Sequence, residues 1–274
     1  MKNRYYLLTG SKNNAGDYLI KHRAVELLKK LKPDVELVSL NAWEPINKQQ
    51  LQEINDSKAL ILTGGPALQR KMRPSIYPLT PDLKDIKVPI ITYGIGWKSP
   101  EGEWSSTHHY PLSPATLELL KKINSSSYLS SVRDYRTLNT LFSHGFKNFV
   151  MTGCPVLYDF DYINKPFNPP KKLENIAFSL GVSFARSRSM EKVMKKTILQ
   201  LKDYFKDKKF TVLFHHSLEN NGNYYQRKKW FLEKHLAFAE WLKSRNIAFL
   251  DISKSENEML EFYKNSDLHI GLLM

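Results

Sequence analysis

Short apolar runs rich in β-branched and aromatic residues alternate with segments whose apolar positions recur at helical spacing. The alternation runs through most of the chain, and it predicts parallel sheets with helices on their faces. In the first half the predicted strands are Tyr5–Thr9, Val35–Leu40, Ala59–Thr63, Pro89–Tyr93, Tyr128–Val132 and Lys147–Thr152. Helical patterns lie between them at Tyr18–Leu31, Asn47–Asn55, Ser113–Asn124 and Asp134–His144. Six strands complete one doubly wound domain.

The stretch Asp159–Asn175 holds three prolines with little apolar periodicity and reads as a linker. A second series follows: strands Ile176–Val182, Phe210–His215, Ile247–Ile252 and Leu268–Leu273, with helices Met190–Phe205, Lys228–Lys243 and Glu256–Asn265. The expected organisation is therefore a Rossmann-like domain at 1–158, a linker at 159–175 and a second, shorter Rossmann-like domain at 176–274. Ligands of such sheets sit at the carboxyl ends of strands, so the loops that follow strands are where chemistry is sought.

Composition narrows the setting. With 274 residues, 42% of them hydrophobic and 25% charged, the chain has the make-up of a globular protein. It lacks the run of about 18 apolar residues that a membrane span requires. The apolar stretch at the amino terminus is too short for a secretory signal. A single cysteine, Cys154, excludes an internal disulfide and a multi-cysteine zinc site, so a cytoplasmic setting is expected. The net charge of +14 calls for an acidic partner: nucleic acid, an anionic membrane surface or a phosphorylated small molecule. Nucleic acid is disfavoured, because no basic stripe interleaved with aromatics stands out.

Among the strand-end loops, the first runs from Thr9 to Asp17 and enters a helix directly, with Asn14, Gly16 and Asp17 near the junction. Its free backbone N–H groups favour an anion, although a plain capping loop, with Asp17 or Asn14 as cap, is an equal reading. It is neither a GxGxxG fingerprint nor a P-loop. The third strand ends in Gly64-Gly65. The fourth ends in Gly94-Ile95-Gly96-Trp97 and opens a long loop that includes Trp104, His108 and His109. The adjacent histidines have no carboxylate or cysteine at ligand spacing, so no metal is expected. Arg133 follows the fifth strand as an anion ligand or a partner for a neighbouring acid, and Asp134 is placed to cap the next helix. Cys154 reads as a spectator thiol.

In the second series, the first strand leads into Arg186 and Arg188, interleaved with serines before a helix. Guanidinium forks at a helix start suit a phosphate. The next strand ends in His215-His216, each either a general acid–base or phosphate ligand or a structural histidine.

Taken in order, Asn14-Ala-Gly-Asp17, Leu62-Thr-Gly-Gly65, Tyr93-Gly-Ile-Gly96, Ser131-Val-Arg-Asp134, Thr152-Gly-Cys-Pro155 and Ser266-Asp-Leu-His-Ile-Gly271 resemble the polysaccharide pyruvyl transferase family. The resemblance implies two Rossmann-like domains in a GT-B-like arrangement. It also implies transfer of a pyruvyl ketal from phosphoenolpyruvate to sugar hydroxyls in surface-glycan biosynthesis, with no cofactor. Arg186 or Arg188 would match the arginine that holds the donor's phosphate or carboxylate. The implied partners are phosphoenolpyruvate and a glycan acceptor, which a lipid could carry; lysine-rich faces leave peripheral contact with an anionic inner membrane face open.

Two departures stand out. No carboxylate follows Gly64-Gly65, and the family's Ile-Gly-Met-Arg-Leu-His segment is replaced by Ile270-Gly-Leu-Leu-Met274. The expectation is thus a second domain that is incomplete. It keeps two alternatives in play: a GT-B glycosyltransferase using a nucleotide-sugar donor, and a truncated, non-catalytic glycan-binding or partner protein.

Overall fold

The computed structural model describes residues 3–10, 15–99, 103–219 and 229–271. The chain divides into two compact units, Met1–Ser11 with Leu19–Asn164 and Lys12–Tyr18 with Lys165–Met274.

In the first unit, β1 (Arg4–Thr9), β2 (Glu36–Asn41), β3 (Ala59–Thr63) and β4 (Ile90–Tyr93) form a parallel sheet in the order β2-β1-β3-β4. Every residue of β3 is buried, as expected of a central strand covered on both faces. A parallel pair, β5 (Ser130–Val132) and β6 (Phe149–Met151), continues beyond β4. Gly94 donates its N–H to the Ser131 carbonyl at 3.1 Å, and Arg133 donates to that of Ile95 at 2.9 Å. The chain visits β2 on one side of β1 before crossing to β3 on the other, so the topological switch lies between β1 and β3.

The helices are α1 (Ala15–Leu31), α2 (Lys48–Asn55), α3 (Met72–Ser75), α4 (Pro114–Asn124) and α5 (Tyr135–Ser143). Their starts follow local chemistry. Asn47 and Gln50 form a reciprocal capping box on α2, and Ser113 caps α4, with Pro114 at its first position. Helix α1 begins three residues before the sequence expectation, so Asp17 is not its cap. It sits within the first turn, where a negative charge favours the helix dipole. Leu60, Leu62, Ile90, Ile95, Leu119 and Leu141 belong to a single buried core.

In the second unit, β7 (Asn175–Leu180), β8 (Lys209–Phe214), β9 (Ala248–Asp251) and β10 (Leu268–Gly271) form a parallel sheet in the order β10-β7-β8-β9. Its helices are α6 (Ser183–Arg186), α7 (Arg188–Tyr204), α8 (Lys229–Ser244) and α9 (Glu256–Lys264). Asp267 fixes the entry of β10, because its Oδ2 accepts from the N–H groups of Glu174 and Asn175 at 2.9 and 2.7 Å. This unit has its own core, built around Phe178, Phe184, Ile198, Phe214 and Phe238. The predicted end of the last strand beyond Gly271 and the predicted helix start at Lys228 lie outside the described residues. Among the described residues, no helix is long and apolar enough to cross a membrane.

Candidate functional site

A cleft of about 640 Å³ opens at the carboxyl ends of β4 and β5, within the first unit. Its aromatic walls are Trp97, Trp104 and Tyr135. Among the described residues, Lys98, Arg133 and Arg136 supply three cations, against one carboxylate from Asp134. Trp104 and Tyr135 are 50% and 62% exposed, large apolar faces left open to solvent beside a charged floor.

Backbone bonds between the strand-end loops hold this cleft in place. Gly64 donates its N–H to the Tyr93 carbonyl at 2.8 Å, Gly96 to that of Gly65 at 2.8 Å, and Leu68 to that of Gly96 at 2.9 Å. The glycine segments after β3 and β4 are thereby tied together, which fixes the direction of Trp97. Gly94 has φ of +65°, a conformation open to glycine at little cost, and packs against Pro155. Gly96 serves close approach: the Arg133 guanidinium lies where a side chain at Gly96 would stand.

Asp134 does cap α5, and it does more. Its Oδ1 accepts from the Thr137 N–H at 2.8 Å and from the Thr137 hydroxyl at 2.9 Å, while its Oδ2 lies 3.6 Å from Arg133 Nε. The Thr137 Oγ1 in turn accepts from the Trp97 N–H at 2.7 Å. One capping carboxylate therefore orients both a cation and an aromatic wall of the cleft. Thr63 Oγ1, Tyr93 OH and Trp97 Nε1, all from the ends of β3 and β4, are buried atoms with no hydrogen-bond partner among the described residues. Burial raises the Tyr93 phenol well above its ordinary range, so it stays protonated.

The remaining sequence candidates fall elsewhere. Gly16 and Asp17 form the first turn of α1, and Asn14 lies outside the described residues. Arg186 ends the short helix α6 and Arg188 opens α7, so the expected loop around them is a turn of helix followed by the Ser187 cap. Both arginines are exposed, and neither forms an ion pair with another described residue. Ser187 and Ser189 join their hydroxyls at 2.8 Å between them.

His215 follows β8 directly and is 3% exposed. Its Nε2 bonds the Tyr263 hydroxyl at 2.8 Å, and burial, helped by nearby His269, pushes its pKa down to about 4. It is a neutral ring at neutral pH. Nearby, His269 Nε2 meets Ser179 Oγ at 2.9 Å, and its ring stands edge-on to Tyr263. His216 is half-buried, its ring edge-on to Phe231 and His235. Exposed His108 and His109 join no metal-holding group, and none of three or more His, Cys, Asp or Glu side chains occurs among the described residues.

Sequence reasoning did not select Lys98, Tyr135 or Arg136 for the cleft, nor Tyr263 for its histidine. The usable signal for the first three was their position, beside Trp97 and in the first turn after a capped strand end.

The whole chain is similar in fold to solved sugar-nucleotide enzymes. UDP-GlcNAc 2-epimerase from Methanocaldococcus jannaschii, in complex with UDP-GlcNAc and UDP, matches with a TM-score of 0.54 at 13% identity, covering 98% of this chain and 78% of that one. The enzyme from Neisseria meningitidis bound to UDP-GlcNAc matches at 0.46 and 11%, over 98% and 77%. The first likeness, with two parallel-sheet units, shows a GT-B-like fold class. No functionally curated protein matches the sequence significantly. Residues 14–271 match the model of the family described as polysaccharide pyruvyl transferase, and the chain belongs to that family.

Proposed function

We propose that this protein transfers a pyruvyl group from phosphoenolpyruvate to a saccharide as a ketal, in surface-glycan biosynthesis. The observation that carries the reading is the family match across residues 14–271. In the reaction the donor's methylene carbon takes up a proton and its C2 becomes oxocarbenium-like. Two sugar hydroxyls add to C2, the C2–O–P bond breaks and inorganic phosphate leaves. One hydroxyl proton replaces the proton taken up by carbon, and the other leaves with phosphate.

The chain's own groups have matching roles. Arg186 and Arg188, exposed around the α7 start, offer forks for the donor's phosphate and carboxylate. Arg133, held over Gly96, is the anion ligand of the first unit, and Trp97 with the Gly64-Gly65 and Gly94-Gly96 turns frames the acceptor's cleft. Between the histidines, His216 is the proposed proton donor, because a ring with a pKa near 4 holds no proton to give at neutral pH. Phosphoenolpyruvate is a cytoplasmic metabolite, so the reading places the protein in the cytoplasm.

Release of inorganic phosphate from phosphoenolpyruvate, measured with a panel of saccharides, tests the proposal. Acceptor-dependent release that falls at least tenfold in the Arg186→Ala, Arg188→Ala double variant supports it. No release with any acceptor, together with no binding of phosphoenolpyruvate, overturns it, and tight nucleoside diphosphate binding in its place points to a sugar-nucleotide donor.

A further inference from the structure

We infer that the cleft of the first unit is a binding site for a negatively charged saccharide, one carrying a carboxylate or phosphate beside the hydroxyls that react. That the hydroxyls react rests on the transfer reading; that the bound saccharide is anionic rests on the cleft's own charge. Among the described residues, Lys98, Arg133 and Arg136 face the cleft against one carboxylate. That carboxylate, of Asp134, holds the α5 cap through Oδ1 and lies 3.6 Å from Arg133 Nε through Oδ2, so its charge is shared with Arg133. Arg136 is exposed and forms no ion pair with a described residue. An anionic sugar, unlike a neutral one, forms a charge pair with Arg136.

The walls argue for a sugar as the body carrying the charge. Trp104 is half exposed and offers an apolar ring of the kind that packs on the C–H face of a pyranose, Tyr135 adds an exposed amphipathic ring, and buried Trp97 backs the wall. Arginine forks fit carboxylate and phosphate alike, so both sources of charge satisfy the geometry.

Titration of the full chain, followed by tryptophan fluorescence and calorimetry, decides the matter. The ligands are three oligosaccharides of equal length: an oligohexuronate, a phosphate-bearing chain and a neutral chain. At least one charged ligand is expected to bind tenfold or more tightly than the neutral one, with the preference shrinking in high salt. Arg136→Ala and Lys98→Ala each weaken that binding three- to tenfold, Asp134→Asn strengthens it, and Trp104→Ala weakens charged and neutral ligands together. Equal affinity for charged and neutral chains, or indifference to Arg136→Ala and Lys98→Ala, overturns the inference, as does UDP binding more tightly than any saccharide. Phosphate release from phosphoenolpyruvate is scored separately. Charge-selective binding without turnover keeps this inference and defeats the transfer reading; turnover with neutral and charged acceptors at equal rates does the reverse.

Discussion

Arg133 lies across Gly96: a methyl group on Gly96 would collide with Nε and Cζ of the guanidinium and come within 2.7 Å of Nη2. The colliding atoms are the far end of a movable side chain, so Gly96→Ala is relieved by swinging Arg133 away. Thermal stability is expected to change by less than about 1 kcal/mol. Charged-saccharide binding falls as far as it does in Arg133→Ala. Gly94→Ala behaves in the opposite way, because its φ is +65° and the new methyl would meet Pro155 Cδ at 2.5 Å and the Gly153 carbonyl at 3.0 Å. Strain on backbone that cannot swing costs about 1–3 kcal/mol, seen as a lower urea midpoint. Unchanged binding in Gly96→Ala would show that the guanidinium's position over the glycine is immaterial.

Thr137 is fully buried between Asp134 and Trp97, donating to one and accepting from the other. Thr137→Val keeps the shape and removes both bonds, leaving a buried N–H at Trp97 without an acceptor. The expected loss is about 1–3 kcal/mol, with a change in tryptophan emission. Thr137→Ser keeps the hydroxyl and restores the emission. Equal behaviour of the two variants would mean that the methyl group, and not the bond, is what matters.

The strands were legible because buried parallel strands are written as short apolar runs; β3, Ala-Leu-Ile-Leu-Thr, is one that neither helix periodicity nor turn residues interrupt. The Asp134 cap was legible for the same local reason. Helices α3 and α6 were not, since four residues are too few to show a period. In the site, Trp97 and Arg133 were readable as strand-end residues. Lys98, beside Trp97, and Arg136, in the first turn of α5, carried only that positional signal; their convergence on one cleft is a tertiary fact. The Tyr263 partner of His215 stands 48 positions away on another element, a pairing no local pattern encodes.

Arg73 is buried without being part of the cleft. Its Nη1 reaches Glu118 Oε2 at 2.6 Å, and its Nη2 donates to the carbonyls of Thr80 and Pro81 at 3.0 and 2.7 Å. Arg73→Met strands those two carbonyls, so a loss of about 2–3 kcal/mol is expected in urea unfolding. Glu118 is 53% exposed and returns to water when its partner goes, so Glu118→Gln costs less than about 1 kcal/mol. Equal losses in the two variants would assign the stabilisation to the ion pair and not to the carbonyls.

Acid should weaken the second unit through its histidines. His215 titrates near 4 in the folded protein against an ordinary 6.5, because burial first and His269 second disfavour its charged form. Burial lowers His235 and His269 as well; at His235 the Phe231 carbonyl and Asp251 oppose that shift. Since the unfolded chain takes up these protons at higher pH than the folded one, stability is complete above about pH 6.5 and drains away as pH falls towards 4. For His215 alone the loss between pH 7.5 and pH 5 is about 2 kcal/mol, most of it incurred above the range where carboxylates titrate. Urea unfolding at half-unit intervals measures the slope. His215→Gln starts from a lower stability at pH 7.5, having given up the Tyr263 bond, but shows a shallower decline towards pH 5 because one of the late-titrating rings is gone. A wild-type protein whose stability is flat over this window, or a variant with the same slope, would show that the ring is protonated as readily folded as unfolded.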